Sequence, residues 1–277
     1  MHNIFLIRIA IKCFNFYLVA YLKTQITIMD LSALFSLANK VAIITGASKG
    51  IGFGIAEIFA AAGAKVVISS RKQEALDEMA TQLREKGYEV AAIACNVGRM
   101  EEMDNLVKQT IEKYGQIDIL VNNAAVNPVF GPVHNTTPEA FDKIMDVNVK
   151  APFHLMNLCF PYLRASSGAA VINISSIGGI SPEQGLGIYS VSKAALISLS
   201  KVYAKEWGEH KIRVNTICPT FIETELTAKG LADPEFRAVH AAHADEPGEA
   251  RDLEVVLEPT QQHDPFGHGC HAAVAAT

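Results

Sequence analysis

The sequence predicts a doubly wound α/β domain on a parallel sheet. Three observations predict it. Short, nearly wholly apolar runs alternate with longer stretches of helical periodicity, a glycine-rich segment stands at the first junction between them, and the helical stretches stop at glycine. Strands that are apolar nearly throughout are buried on both faces, as in a parallel sheet covered by two layers of helices.

The apolar runs are "VAIIT" from Val41, "KVVIS" from Lys65, "VAAIA" from Val90, "IDILV" from Ile117, "AVINIS" from Ala170 and "RVNTIC" from Arg213. Between them, "GFGIAEIFAAAG" ends at Gly63, a natural helix stop. "KQEALDEMATQLREKG" puts Leu76, Met79, Ala80 and Leu83 on one face, and "MEEMDNLVKQTIEKYG" repeats the design. There is no other internal repeat and no Gly/Ser linker, so one domain is expected over residues 29–231.

The pattern stops after about Leu231. The tail, residues 232–277, is polar and rich in Pro, Gly and His; only "LEVVLE" reads as a strand or helical turn. It is expected to be irregular. His263, His268, Cys270 and His271 match no standard zinc spacing, so no metal is expected.

At the other end, Arg8 and Lys12 interrupt the apolar stretch Ile4 to Leu22, which makes it a poor membrane span. No small-residue cleavage site follows. Arg8, Lys12, Phe16, Val19 and Lys23 fall near helical spacing, as in a basic amphipathic surface helix. The favoured reading makes Met29 the natural start and residues 1–28 an extension outside the core.

Hydrophobic residues at 49% and charged residues at 19% support a sizeable core. A net charge of -5 without a long basic run speaks against a nucleic-acid partner. Five scattered cysteines with no CxxC argue against a disulfide framework and for a reducing compartment, here the cytoplasm.

"TGASKGIG" follows the first strand and opens the first helix. In that context glycine lets the backbone approach a pyrophosphate, and the helix N-terminus supplies N–H groups and partial positive charge. Further along, Tyr189 and Lys193 in "YSVSK" lie four residues apart, one above the other on a helix. Free tyrosine titrates near ~10, so a drop of about three units asks for roughly 4 kcal/mol, and a nearby ammonium is the obvious source.

"TGASKGIG", "VNNAAVNP", "VINISS", "YSVSK" and "RVNTICPT", in this order, resemble the classical short-chain dehydrogenase/reductase family over about Asp30 to Lys229. The resemblance implies a Rossmann-like fold and hydride exchange between a nicotinamide and a carbonyl or secondary alcohol. It implies Tyr189 as acid/base, Lys193 as the residue that lowers its pKa and holds the ribose, and Ser176 as the residue that orients the substrate oxygen. Asn148 in "IMDVNVK" matches the asparagine that holds a helix open for a relay water; Ser175 faces elsewhere.

For the cofactor, the resemblance implies contacts from Gly46, Ser48, Lys49, Gly50, Ile51 and Gly52. Arg71 follows Ser70, which stands where NAD-preferring members carry an acid. Arg71, with Lys49 nearby, suits a 2′-phosphate, so NADP(H) is expected over NAD(H). Asn96, in place of the more usual Asp, and Val97 would flank the adenine. Asn123, Ala124 and Ala125 would line the ribose side, and Pro219, Ile222 and Thr224 the nicotinamide.

The substrate would lie against the segment after Asn127 and the loop after Pro219. The partner is thus a small carbonyl or alcohol, with a 3-oxoacyl thioester as the alternative. The family usually forms dimers or tetramers. The departure after Ala238 leaves the last strand missing or altered and the helix before it lost; a missing strand would leave the sheet edge uncovered, and the lost helix takes part of the oligomer contact with it. A frameshift would account for it, and a catalytically impaired dinucleotide-binding remnant is the rival reading.

Overall fold

The computed structural model describes residues 35–182, 184–220, 222 and the backbone of 254–256. The extension 1–28 and almost all of the tail 232–277 lie outside these residues.

Each apolar run forms a strand. β1 (Val41–Thr45), β2 (Lys65–Ser70) and β3 (Val90–Ala94) alternate with α1 (Gly50–Ala61), α2 (Gln73–Glu85) and α3 (Met100–Tyr114). β4 (Ile119–Asn122) leads to α4 (Pro138–Met145), a π-helical turn (Asp146–Lys150) and α5 (Ala151–Ala165). β5 (Ala170–Ile174), α6 (Ile188–Trp207) and β6 (Arg213–Cys218) follow. With β7 (Glu254–Val256) at its edge, the sheet order is β3-β2-β1-β4-β5-β6-β7, with all pairs from β3 to β6 parallel.

β4 begins two residues later than its apolar run. Asp118 still bonds both neighbouring strands, its N–H donating to Val41 O at 2.9 Å and its carbonyl accepting the Ala170 N–H at 3.0 Å, and its side chain adds to this: Oδ2 accepts the Val41 N–H at 2.8 Å and Oδ1 meets Lys40 Nζ at 3.3 Å.

The expectation of an uncovered edge needs correction. β7 (Glu254–Val256), inside "LEVVLE", pairs antiparallel with β6 and sets Glu254 opposite Cys218. Three alternating or β-branched residues suffice for such an edge strand, so the last strand is altered rather than lost.

Both faces of the sheet are packed. Ile43, Val67, Leu120 and Val171 are fully buried against Leu106, Met156, Cys159 and Leu163 of α3 and α5. Trp207 packs in the same core, edge-on to Tyr203 at 4.5 Å, as expected of a helix-packing residue.

One buried polar ladder crosses this apolar interior. Asn122 Nδ2 donates to Asn173 Oδ1 at 2.8 Å, Asn173 Nδ2 to Ser200 Oγ at 2.8 Å, and Ser200 Oγ to Leu196 O at 2.7 Å. It ties β4, β5 and α6 together.

Candidate active site

The chain reverses its winding between β1 and β4, which is where an open α/β sheet leaves a crevice at its carboxyl edge. Two loops meet there. Thr45 Oγ1 accepts the N–H groups of Asn123 at 3.0 Å and Ala124 at 3.1 Å and donates to Val121 O at 3.3 Å. Asn123 Nδ2 donates to Thr45 O at 2.9 Å and Gly46 O at 3.1 Å. The Asn123 amide thus sews the glycine loop to β4.

The same closeness explains the glycines. Gly46 has φ +66°, and a Cβ there would lie 2.9 Å from Ala124 Cα. A Cβ on Gly52 would lie 2.5 Å from both Asn123 Nδ2 and Gly46 O. No side chain fits either place. α1 starts at Gly50 with no side-chain cap and no acid in its first turn. Its first N–H groups and positive dipole end are left to an anion, so the cradle fits a dinucleotide pyrophosphate.

Ser48 and Ile51 are partly buried in this loop, while Lys49 is exposed. Thr45 and Ser69 are in register, and Ala47 N donates to Ser69 O at 3.0 Å. Lys49 and the exposed Arg71 thus leave neighbouring strands at the same end. After β3, Asn96 Oδ1 accepts the Gly98 N–H at 3.1 Å, its own N–H bonds Glu102 at 2.7 Å, and Val97 is buried. Ala124 is partly buried and Ala125 exposed on the crevice side of β4.

The other half of the site is built from β5, α6 and the π turn. Ser175 Oγ donates inward to Lys193 O at 2.9 Å, away from the crevice as expected. Ser176 stays partly exposed and its Oγ accepts the Gly178 N–H at 3.1 Å, capping the 3₁₀ turn Ile177–Gly179. Tyr189 and Lys193 share the first turns of α6. Lys193 is 2% exposed; its Nζ donates to Ile174 O at 2.8 Å and lies 5.5 Å from the centre of the Tyr189 ring.

Asn148 sits inside the π turn, where the Ala151 N–H reaches back five residues to Asp146 O. The extra residue swings the buried Asn148 toward the loop after β4. Its Oδ1 accepts the Val126 N–H at 2.8 Å, and its Nδ2 donates to Val126 O at 2.9 Å and to Ser192 Oγ at 3.0 Å. Pro219 is buried and its carbonyl accepts the Ile177 N–H at 3.0 Å; Ile222 is 40% exposed. Thr224 lies outside the described residues.

Electrostatics revise one expectation. Burial pushes the Tyr189 phenol above its ordinary value, and its hydrogen bond with Ser176 opposes this without prevailing. Burial pushes Lys193 down to about 8, against a small opposing effect of Cys218. Burial thus outweighs any lowering of Tyr189 by Lys193, whose ammonium is held by the Ile174 carbonyl.

Ser192 and the backbone of Val126 were not foreseen. Ser192 lies three residues after Tyr189, the spacing at which a helical serine bonds back to a carbonyl, so its signal was in the sequence. For Val126 there was none, since any residue offers the same backbone.

The sequence profile of the family described as short chain dehydrogenase matches residues 40–235. Dehydrogenase/reductase SDR family member 4 from Homo sapiens is 43% identical over 199 residues, 72% of this chain and 72% of that protein. Dehydrogenase/reductase SDR family member 2, mitochondrial, from Homo sapiens is 43% identical over 191 residues, 69% of this chain and 68% of that one. Pseudomonas aeruginosa RhlG, solved as an NADP active-site complex, superposes with a TM-score of 0.70 at 35% identity, over 76% of this chain and 83% of that one. A cradle that only glycine can line, beside a half-buried Tyr189 and a buried Lys193, and this breadth of likeness lead to one assignment: the chain is a member of the short-chain dehydrogenase/reductase family.

Proposed function

We propose that the protein is an NADP(H)-dependent carbonyl reductase, with Tyr189 as its proton donor. The observation that carries this reading is the convergence of Ser176, Tyr189, Lys193 and Asn148 beside the Gly46–Gly52 cradle. When bound, the nicotinamide supplies the hydride that goes to the carbonyl carbon, or accepts it in reverse. The carbonyl oxygen, as it gains charge, takes the proton from Tyr189 Oη and becomes a hydroxyl. Ser176 orients that oxygen. Lys193 would hold the ribose, and its ammonium, 5.5 Å from the centre of the Tyr189 ring, would favour phenolate character as the proton leaves. Asn148 keeps the π turn open.

Two cations, Lys49 and Arg71, at the ends of β1 and β2, and no carboxylate at Ser70, support NADP(H) over NAD(H). Segments 126–136 and 176–182, which border the site, contain no lysine or arginine. An acyl carrier would ask for cations there, so an uncharged carbonyl is favoured over a 3-oxoacyl thioester. Buried Cys95 and Cys159, which form no disulfide, suit a reducing compartment, and cytoplasmic placement is proposed on that ground. Among the described residues no helix is long and apolar enough to cross a membrane.

The test follows NADPH and NADH oxidation with an aromatic diketone, for the full chain and for Tyr189→Phe. Turnover with NADPH that drops about 10²–10⁴-fold in Tyr189→Phe is expected. NADPH binding without any turnover would favour the impaired dinucleotide-binding remnant.

A further inference from the structure

A single buried hydroxyl joins the two halves of the site. Ser192 Oγ accepts from Asn148 Nδ2 at 3.0 Å and donates to Tyr189 O at 2.6 Å, and Ser192 is 0% exposed. Asn148 in turn grips both backbone groups of Val126, at 2.8 and 2.9 Å. A continuous chain therefore runs from the Tyr189 backbone through Ser192 and Asn148 to the loop after β4. We propose that Ser192 is a positioning residue for the reaction, fixing the Tyr189 end of α6 to the Asn148 turn.

The local structure shows why such a pin is needed. Tyr189 is the second residue of α6, and the preceding Gly187 gives this helix no side-chain cap. An uncapped first turn is the part of a helix held least by its own hydrogen bonds. A helical serine bonding back to a carbonyl ordinarily does little and bends the helix slightly. Ser192 differs because its oxygen also accepts from Asn148, so each bond polarises the next.

Both Nδ2 hydrogens of Asn148 are engaged, and Asn148 is 1% exposed. Without the Ser192 hydroxyl, one of those hydrogens is orphaned in the interior and the Tyr189 carbonyl loses its side-chain donor. The phenol then shifts relative to Ser176 and Lys193. Ser190 provides the control: it is on the same helix turn and 2% exposed, and its Oγ has no partner among the described residues.

This inference rests on the reading of Tyr189 as acid/base, and the test separates the two. The full chain, Ser192→Ala and Ser190→Ala are compared in three ways. These are kcat with an aromatic diketone, NADPH affinity by fluorescence, and the Tyr189 titration from tyrosinate absorbance against matching Tyr189→Phe proteins. For Ser192→Ala, kcat is expected to fall about ten-fold or more with NADPH affinity held within about two-fold. Its Tyr189 titration midpoint moves, while Ser190→Ala changes neither. If Ser192→Ala does not fold, Ser192→Cys keeps the volume, weakens both bonds and shifts the same readouts less.

An unchanged kcat and titration in Ser192→Ala, or equal losses in both alanine variants, would overturn the proposal. A wild type that binds NADPH and turns over nothing, with the Ser192→Ala titration still displaced, would sink the functional reading and leave the positioning role standing.

Discussion

Gly179 lies against the backbone of Lys193: a Cβ on Gly179 would fall 2.7 Å from Lys193 C and 2.9 Å from Ala194 N. The turn after β5 thereby seats α6 at the residue whose ammonium reaches Ile174. Backbone cannot yield as a flexible side chain can. Gly179→Ala is expected to displace α6 and cost about 1–3 kcal/mol, the usual range for overpacking. Denaturant unfolding reads the loss, and both kcat and NADPH affinity should fall, because the displaced residue is the one proposed to hold the ribose.

Lys193 makes stability depend on pH. Its folded value of about 8 lies below its ordinary 10.5. Between the two, the unfolded chain binds a proton that the folded chain does not, so stability rises with pH across that window. Below about 8 the full penalty of burying the ammonium is present. Tyr189 acts oppositely: its raised value keeps the folded phenol protonated after the unfolded one ionises, so its contribution falls with pH above its ordinary value. Denaturant midpoints measured between these limits should climb in the wild type. Lys193→Met, with no charge to bury, should flatten the climb; an equal climb in both would show another group at work.

Arg71 is exposed at the end of β2, so replacing it should leave the fold alone. Arg71→Glu is expected to weaken NADPH relative to NADH by about 30–100-fold, the worth of a charge-assisted pair of roughly 2–3 kcal/mol. The ratio of kcat/KM for the two reductants checks it. An unchanged ratio would assign phosphate recognition to Lys49 and the loop backbone.

The Asn122–Asn173–Ser200 ladder should be costly to break from its middle. Asn173 is 0% exposed and bonds both neighbours. Asn173→Ala orphans Asn122 Nδ2, and about 2–3 kcal/mol of stability should go with it. Urea unfolding of the single variants and of Asn173→Ala/Ser200→Ala should show non-additive losses, since the two residues share one bond.

Asp118, on the far side of the sheet, predicts an acid transition. Burial pushes its carboxyl up, but hydrogen bonds from Ser166, the Val41 N–H and Gln116, with Lys40 nearby, outweigh it and hold it below its ordinary 3.8. Its contribution is therefore present above 3.8 and is lost as pH falls through the folded value. Asp118→Ala should destabilise the protein at neutral pH by about 2–3 kcal/mol, and the difference from wild type should shrink in acid.

How much of this was legible depended on what kind of signal each residue carried. The strands declared themselves because each is apolar nearly throughout, and the Tyr189–Lys193 pair because helix periodicity fixes their common face. That Asp118 satisfies the Val41 N–H with its side chain is a choice that apolarity cannot encode. The bonds of the Asn123 amide to the glycine loop were not legible either, since an amide facing a ligand and one facing a loop carbonyl are the same letter. The Tyr189 shift ran opposite to expectation because spacing reports the Lys193 charge but not how completely both groups leave water. "LEVVLE" left strand and helical turn both open, because six residues are too few to fix a period, and its antiparallel partner is a matter of topology rather than of pattern.

The polar ladder through Asn122, Asn173 and Ser200 also bears on how this protein can change. It clamps the strand that precedes the crevice and the helix that bears the proposed proton donor into one block. The stretches proposed to flank the substrate, around Phe130, Val133 and Ile180, are exposed and stand outside that clamp. New specificities can therefore arise by exchanging loops on a fixed chassis, and a library confined to residues 128–136 and 180–182 should explore substrates while leaving that block intact.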